Sequence, residues 1–275
     1  MNKALNEIIQ VMKQTYNIDI SMYDESFLLK SLGRRWGANQ GNEAEKYVGC
    51  LEKSSAEAEA FYRSLNITYS EFFRNPLTFA LIEQYILPSL IRQKPIGGEI
   101  RVWSAGCSAG QEAYSIAMLL NECTDATGNA LRFRIFATDI SETALTLART
   151  GRYDQEAIQH VTLKQLHKYF SRENDKYTIV SELKEHINFS TYDLMDKYSA
   201  NPPESIFGDF DIVFCSNLLF YYRPELRRLI IRKMENSMSV MGYLITGEAE
   251  KAFMQKEGKL EMLIPATAVF QTNKR

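Results

Sequence analysis

The sequence predicts an α/β fold: a parallel sheet covered by helices on both faces, ending in an antiparallel hairpin and preceded by an all-helical block. Three observations predict it. Strand-like and helical runs alternate from Pro95 onward. The strand-like runs are nearly continuous in Val, Ile and Phe, as strands buried on both faces must be. Before residue 76 the apolar residues instead recur at helical spacing.

Two domains are expected, a helical one over 1–75 and an α/β one over 76–275. In the first, Leu5, Ile8, Ile9, Met12 and Tyr16 line one helix face. A turn at Asn17–Asp19 follows, then a helix ending in LLKSLGRRW. Its Lys30, Arg34 and Arg35 lie on adjacent turns and predict a basic face. Residues 42–64 give one or two more helices. In the second, Ile100–Ala105 and Phe133–Ile140 are strands, followed by helices over Ala113–Cys123 and Ser141–Gly151. Ser141 suits an N-cap, and Glu142 suits the positive end of that helix. Phe210–Asn217 is a strand, Pro224–Met238 a helix and Gly242–Glu248 a strand. Lys259–Ile264 and Val269–Thr272 flank Pro265 and predict the hairpin. Tyr177–Leu183 and His186–Asp193 read as short strands of a small antiparallel β-appendage over about 170–192.

Composition narrows the function. The 275 residues are 45% apolar and 24% charged, enough for a core without disulfides or structural metals. The net charge is −2, whereas a protein that grips nucleic acid carries a marked basic excess, so no nucleic acid is expected. Cys50, Cys107, Cys123 and Cys215 form no C-x-x-C pair and stand at no zinc-finger spacing from histidine. They read as reduced thiols, with no metal site. Glu7, Gln10 and Lys13 interrupt the apolar N-terminal residues, which argues against a secretory leader. No run of about 18 apolar residues is present to cross a membrane. A cytoplasmic protein is expected.

In an open α/β sheet, ligands bind outside the carboxyl ends of the strands. Three segments meet that rule. SAGCSAGQE follows the first strand, and Gly106 and Gly110 leave room for a ligand, although they equally suit a tight strand–helix turn. The loop lacks the Lys-Ser/Thr of a phosphate loop, which argues against a triphosphate. Asp139 ends the second strand, where an acid can accept both hydroxyls of a ribose or cap the next helix. Asn217, Tyr221 and Tyr222 follow the strand at Phe210 and suit the mouth of a site, or half-buried packing. A Rossmann-like sheet with a terminal hairpin, a ribose-binding acid and no phosphate loop points to S-adenosylmethionine (SAM).

FFRNPLTF (Phe72–Phe79), RVWSAGCSAGQEAYSIAM (Arg101–Met118), ATDIS and FDIVFCSNLLFYY occur in this order, and the chain they mark resembles the CheR family over nearly its whole length. These are SAM-dependent methyltransferases that esterify glutamate side chains of bacterial chemoreceptors. The resemblance implies a Rossmann-like SAM-dependent methyltransferase sheet with a small antiparallel β-appendage, after an all-helical N-terminal domain. It implies SAM as cofactor, S-adenosylhomocysteine as product, the receptor's cytoplasmic helical bundle as partner, no membrane insertion, and a monomer.

Laid on this chain, the family's pattern puts Thr68 in place of a cofactor-contacting asparagine and Ser70 at a hydroxyl position. Arg74 takes the arginine given a catalytic or substrate-positioning role and also faces the cofactor. Gly106, Glu112 and the ribose acid Asp139 fall at cofactor positions. Asp193 and Leu194 are expected near the adenine, and Cys215, Ser216 and Asn217 at the rim. Tyr221 matches the tyrosine implicated in catalysis. Thr68, Gln111 and Ser216 depart from the family's asparagine, glutamate and arginine. The alternatives are a same-fold methyltransferase with another acceptor, or a non-catalytic SAM-binding scaffold of a signalling array.

Overall fold

The computed structural model describes residues 3–36, 43–65, 69–127 and 132–272. The chain groups into two compact units, Met1–Ile67 with Leu219–Arg227, and Thr68–Leu218 with Arg228–Arg275.

The first unit contains α1 (Lys3–Tyr16), α2 (Glu25–Trp36), α3 (Glu43–Leu51) and α4 (Ser55–Leu65). Leu5, Ile8 and Met12 of α1 are buried with Leu28, Tyr47, Leu51, Ala58 and Phe61, the expected result of apolar residues three and four apart. The segment after Leu218 is built into this unit. The Asp24 amide donates to the Tyr221 carbonyl at 2.8 Å and the Arg223 amide to the Met22 carbonyl at 3.1 Å. Tyr222 stacks on Tyr23. This unit takes up nine residues from far along the chain, Leu219–Arg227.

The expected basic face of α2 is also altered. Arg35 donates through Nε and Nη2 to both oxygens of Glu57, at 2.5 and 2.8 Å. The Tyr47 hydroxyl donates to the same carboxylate. This planar two-point pair neutralises Arg35. Lys30 and Arg34 remain exposed.

The second unit opens with α5 (Pro76–Leu81), a π-turn (Ile82–Ile86) and α6 (Leu87–Gln93). The π-turn ends two residues before Pro88, which lacks the N–H that a regular α-helix would use there. Then come β1 (Glu99–Ala105), α7 (Gln111–Thr127), β2 (Arg132–Asp139) and α8 (Glu142–Thr150). Ser141 caps α8, its Oγ accepting the Ala144 amide at 3.2 Å, and Gly151 ends the helix at φ 63°. β3 (Arg152–Asp154), α9 (Leu163–Tyr169), β4 (Phe170–Glu173), β5 (Lys176–Ile179), a short turn α10 (Ser181–Lys184) and β6 (Ile187–Thr191) follow. The chain closes with β7 (Phe210–Cys215), α11 (Pro224–Ser237), β8 (Met238–Thr246), α12 (Lys251–Glu257), β9 (Glu261–Met262) and β10 (Val269–Gln271).

The main sheet has seven strands in the order β6-β2-β1-β7-β8-β10-β9. β6 through β8 are parallel, and β10 is antiparallel to both β8 and β9. This is the dinucleotide-fold order with an antiparallel strand slotted between its last two members. The last four residues of β1, Val102–Ala105, are all buried, as is every residue of β7, as strands covered on both faces require.

The appendage differs from the sequence expectation. It consists of β3, β5 and β4. The run near His186–Asp193 forms β6 instead, which pairs with β2 from Ile135↔Ile187 to Asp139↔Thr191. Its length and composition suit either sheet; the register to β2 decides.

Candidate functional site

The carboxyl ends of β1, β2, β7 and β8 form one rim. After β1 the amides of Gly106 and Cys107 both donate to the Thr138 carbonyl, at 2.8 and 2.9 Å, which ties the loop to β2. The loop then turns through positive φ at Gly106 (75°), Ser108 (50°) and Gly110 (90°). A Cβ on Gly110 would come within 2.9 Å of the Ala148 Cβ, so both backbone conformation and space call for glycine.

Asp139, at the end of β2, accepts the Ser108 amide on Oδ2 at 2.8 Å and the Ser141 amide on Oδ1 at 2.9 Å. The side chain is half-buried. Each oxygen keeps a further lone pair, so this acid can still accept hydroxyl donors.

Glu112 stands in the first turn of α7. Ser104 Oγ donates to its Oε1 at 2.6 Å. Burial pushes its carboxyl up to about 7, and the buried Glu250 adds to that rise; hydrogen bonds from Ser104 and Ser216 and the charge of Arg74 oppose it. The chain thus brings Arg74, Ser104, Glu112, Ser216 and Glu250 into one electrostatic cluster. Sequence reasoning did not find Ser104 or Glu250. Ser104 carried a faint signal as a hydroxyl among the apolar residues Val102, Trp103 and Ala105. Glu250 carried none beyond following a strand.

Beside Glu112, Gln111 is buried, and its Oε1 has no partner in the structure. A buried acceptor without a donor is a group that a ligand can satisfy. Gln111, Glu112 and Asp139 together offer acceptors to a ligand with cationic and hydroxyl donors. Among the described residues no cluster of His, Cys, Asp and Glu could hold a metal ion.

Arg74 is carried on a strained, well-anchored turn. Phe73 and Asn75 have positive φ, 50° and 61°. Phe72 packs edge-on against Tyr153 and Phe170, and Phe73 against Phe79. The Phe73 amide donates to Ser115 Oγ at 2.9 Å. The guanidinium lies over the exposed Tyr69 ring, 5.6 Å from its centroid. Ser70 is half-buried in the same segment, and Thr68 lies outside the described residues.

At the β7 end, the Cys215 side chain is packed in the core, and burial pushes its thiol well up. Asn217 takes φ 60°, and its amide donates to Glu250 Oε2 at 2.9 Å. Beyond β6, Leu194 is buried, whereas Asp193 is exposed and accepts the Met195 amide. Tyr221 belongs to the helical unit, where its ring lies 4.7 Å from that of Phe27 and 4.3 Å from that of Phe220.

Residues 68–269 match the family model described as CheR methyltransferase, SAM binding domain. A chemotaxis protein methyltransferase of Escherichia coli K12 is 31% identical over 250 residues, 88% of this chain and 82% of that one. One from Borreliella burgdorferi is 28% identical over 96% of this chain and 92% of that one. An uncharacterized 104.1 kDa protein of Rhodobacter capsulatus is 28% identical over 98% of this chain, which spans 27% of that protein's length. The matched region contains the sheet, its rim and the turn of Arg74, and the chain belongs to the CheR family of SAM-dependent methyltransferases.

Proposed function

We propose that this chain transfers the methyl group of SAM to glutamate side chains on the cytoplasmic helical bundle of a bacterial chemoreceptor. The observation that carries the reading is the acceptor-rich rim inside the matched SAM-binding domain. Asp139 would take the ribose hydroxyls, and Glu112 and Gln111 the cationic end of the cofactor. Gly106 gives the ligand close approach to the backbone, while Ser216 and Asn217 with Asp193 and Leu194 close the sides. Bound SAM supplies an electrophilic methyl group on a sulfonium.

A glutamate side chain has a pKa near 4.3 and is already a nucleophile at neutral pH. The chain therefore needs no general base. Its own task is to strip water from the acceptor carboxylate and aim it, and alignment of that kind supplies several kcal/mol. Arg74 can hold both carboxylate oxygens through its planar fork. The anchoring of Phe72 and Phe73 fixes where that fork starts. Tyr221, which belongs to the helical unit, matches the family's tyrosine implicated in catalysis. No helix among the described residues is long and apolar enough to cross a membrane, and we place the protein in the cytoplasm, as a monomer acting on the receptor.

The test pairs S-adenosylhomocysteine calorimetry with labelled-SAM assays on receptor-containing membranes. Arg74→Ala should lower turnover on the order of 100-fold and cofactor affinity only a few-fold. Equal turnover in variant and parent removes Arg74 from the mechanism. Cofactor binding with no methyl transfer to any receptor would favour the scaffold instead.

A further inference from the structure

Glu250 is fully buried, far from the aqueous setting in which a carboxylate is stable, and a buried charge persists only where donors compensate it. Two of its donors come from different strand ends. The Asn217 amide, after β7, reaches Oε2 at 2.9 Å, and the Gly247 amide, after β8, reaches the same oxygen at 2.6 Å. The Glu250 amide donates back to the Gly247 carbonyl at 2.9 Å. Asn217 holds φ 60° at this junction, a left-handed conformation that asparagine adopts more readily than most other non-glycine residues. Space is equally tight: a Cβ on Gly247 would fall 2.5 Å from Asn217 Nδ2 and 2.9 Å from Glu250 Oε2. Two strand ends and one carboxylate thus form a knot that includes Asn217, next to Ser216.

We propose that Glu250 is a positioning residue for cofactor binding, whose buried carboxylate pins the turn after β7 so that Ser216 and Asn217 face the ligand. The inference rests on the reading of the rim as the SAM site and adds a residue that does not touch the ligand. Glu250 also acts through space. The charged and titratable groups around Glu112 are Glu250 after β8, Arg74 before α5, Cys107 after β1 and Cys215 in β7. Of these, Glu250 raises the Glu112 carboxyl and Arg74 lowers it. Removing the Glu250 charge therefore lets Glu112 ionise at lower pH, which a purely structural role would not do.

The experiment measures S-adenosylhomocysteine affinity by calorimetry between pH 5.5 and 9, on the full chain, for the parent, Glu250→Gln, Glu250→Ala and Glu248→Gln. Glu248 pairs with Lys251 outside the knot and serves as control. Glu250→Ala should lose about tenfold or more in affinity, as expected for two amide bonds to a charged group. Glu250→Gln keeps an acceptor and should bind more tightly than the alanine variant, with its pH dependence displaced to lower pH. Glu248→Gln should bind as the parent does. If Glu250→Ala does not fold, the pH displacement in Glu250→Gln decides alone. Parent affinity and parent pH dependence in Glu250→Gln, with or without a folded alanine variant, overturn the proposal. Failure of the parent itself to bind S-adenosylhomocysteine overturns the SAM reading instead.

Discussion

The rim of the sheet and the graft of Leu219–Arg227 into the helical unit solve the same problem by different means. Both join chain segments that are remote in sequence. The rim joins them with backbone amides on carboxylates, Ser108 and Ser141 on Asp139 and Asn217 and Gly247 on Glu250, and with residues at positive φ. The helical unit adds ring packing to its backbone bonds, with Tyr23 on Tyr222 and Phe27 on Tyr221. Directional bonds fix single atoms and fail abruptly when one partner is lost. Ring packing tolerates rearrangement as long as volume is kept.

The largest expected effect probes the rings. Phe27→Ala should destabilise the protein by about 3–5 kcal/mol, and Phe27→Leu by roughly 1–1.5. Urea unfolding checks both. Equal losses would mean that ring geometry, not volume, holds the graft, and the contrast would fail. On the rim, Gly110→Ala should lose about 2–4 kcal/mol, from strain at φ 90° and collision with Ala148. Gly97→Ala, at φ 75° in open space, should lose only about 1 kcal/mol. If the two alanines cost the same, packing beneath the rim contributes nothing.

Much of this was legible in the sequence because it depends on local pattern. Apolar runs located β1, β2, β7 and β8, Ser141 announced its cap, and the acid ending β2 stood where the fold's topology puts a ligand. What was not legible depends on pairing at a distance. The run at Ile187–Thr191 has the composition of an appendage strand, and only its register with β2 assigns it to the main sheet. Arg35 looked like part of a basic face until Glu57, 22 residues on, took its charge. Glu250 and the place of Tyr221 in the helical unit likewise follow from contacts that no spacing rule encodes.

Glu112 links site to stability. Its carboxyl is raised from 4.5 to about 7, chiefly by burial, so between those values the folded chain binds more protons than the unfolded one. Stability then falls as pH rises through that window. Glu112→Gln should remove this decline and gain roughly 1–2 kcal/mol at pH 8, while weakening S-adenosylhomocysteine binding. Unchanged stability at pH 8 would show that ligand-free Glu112 is already well compensated.

The smallest effect has the opposite sign and lies in the helical unit. Asp19 is lowered from 3.8 to about 2, first by the hydrogen bond from Lys13 and then by that from Ser21. Here the unfolded chain binds more protons, so the stabilisation is complete above about pH 4 and is lost as pH falls toward 2. Lys13 and Asp19 are largely exposed, and water screens such a pair to below about 1 kcal/mol. Asp19→Asn should therefore flatten unfolding free energy only in that acid window and leave the Glu112 window unchanged. Unfolding measured from pH 2 to 8 in both variants separates the two slopes, since surface charge acts in one unit and buried charge in the other. A change in the 4.5 to 7 window on replacing Asp19 would show that the two units do not titrate independently.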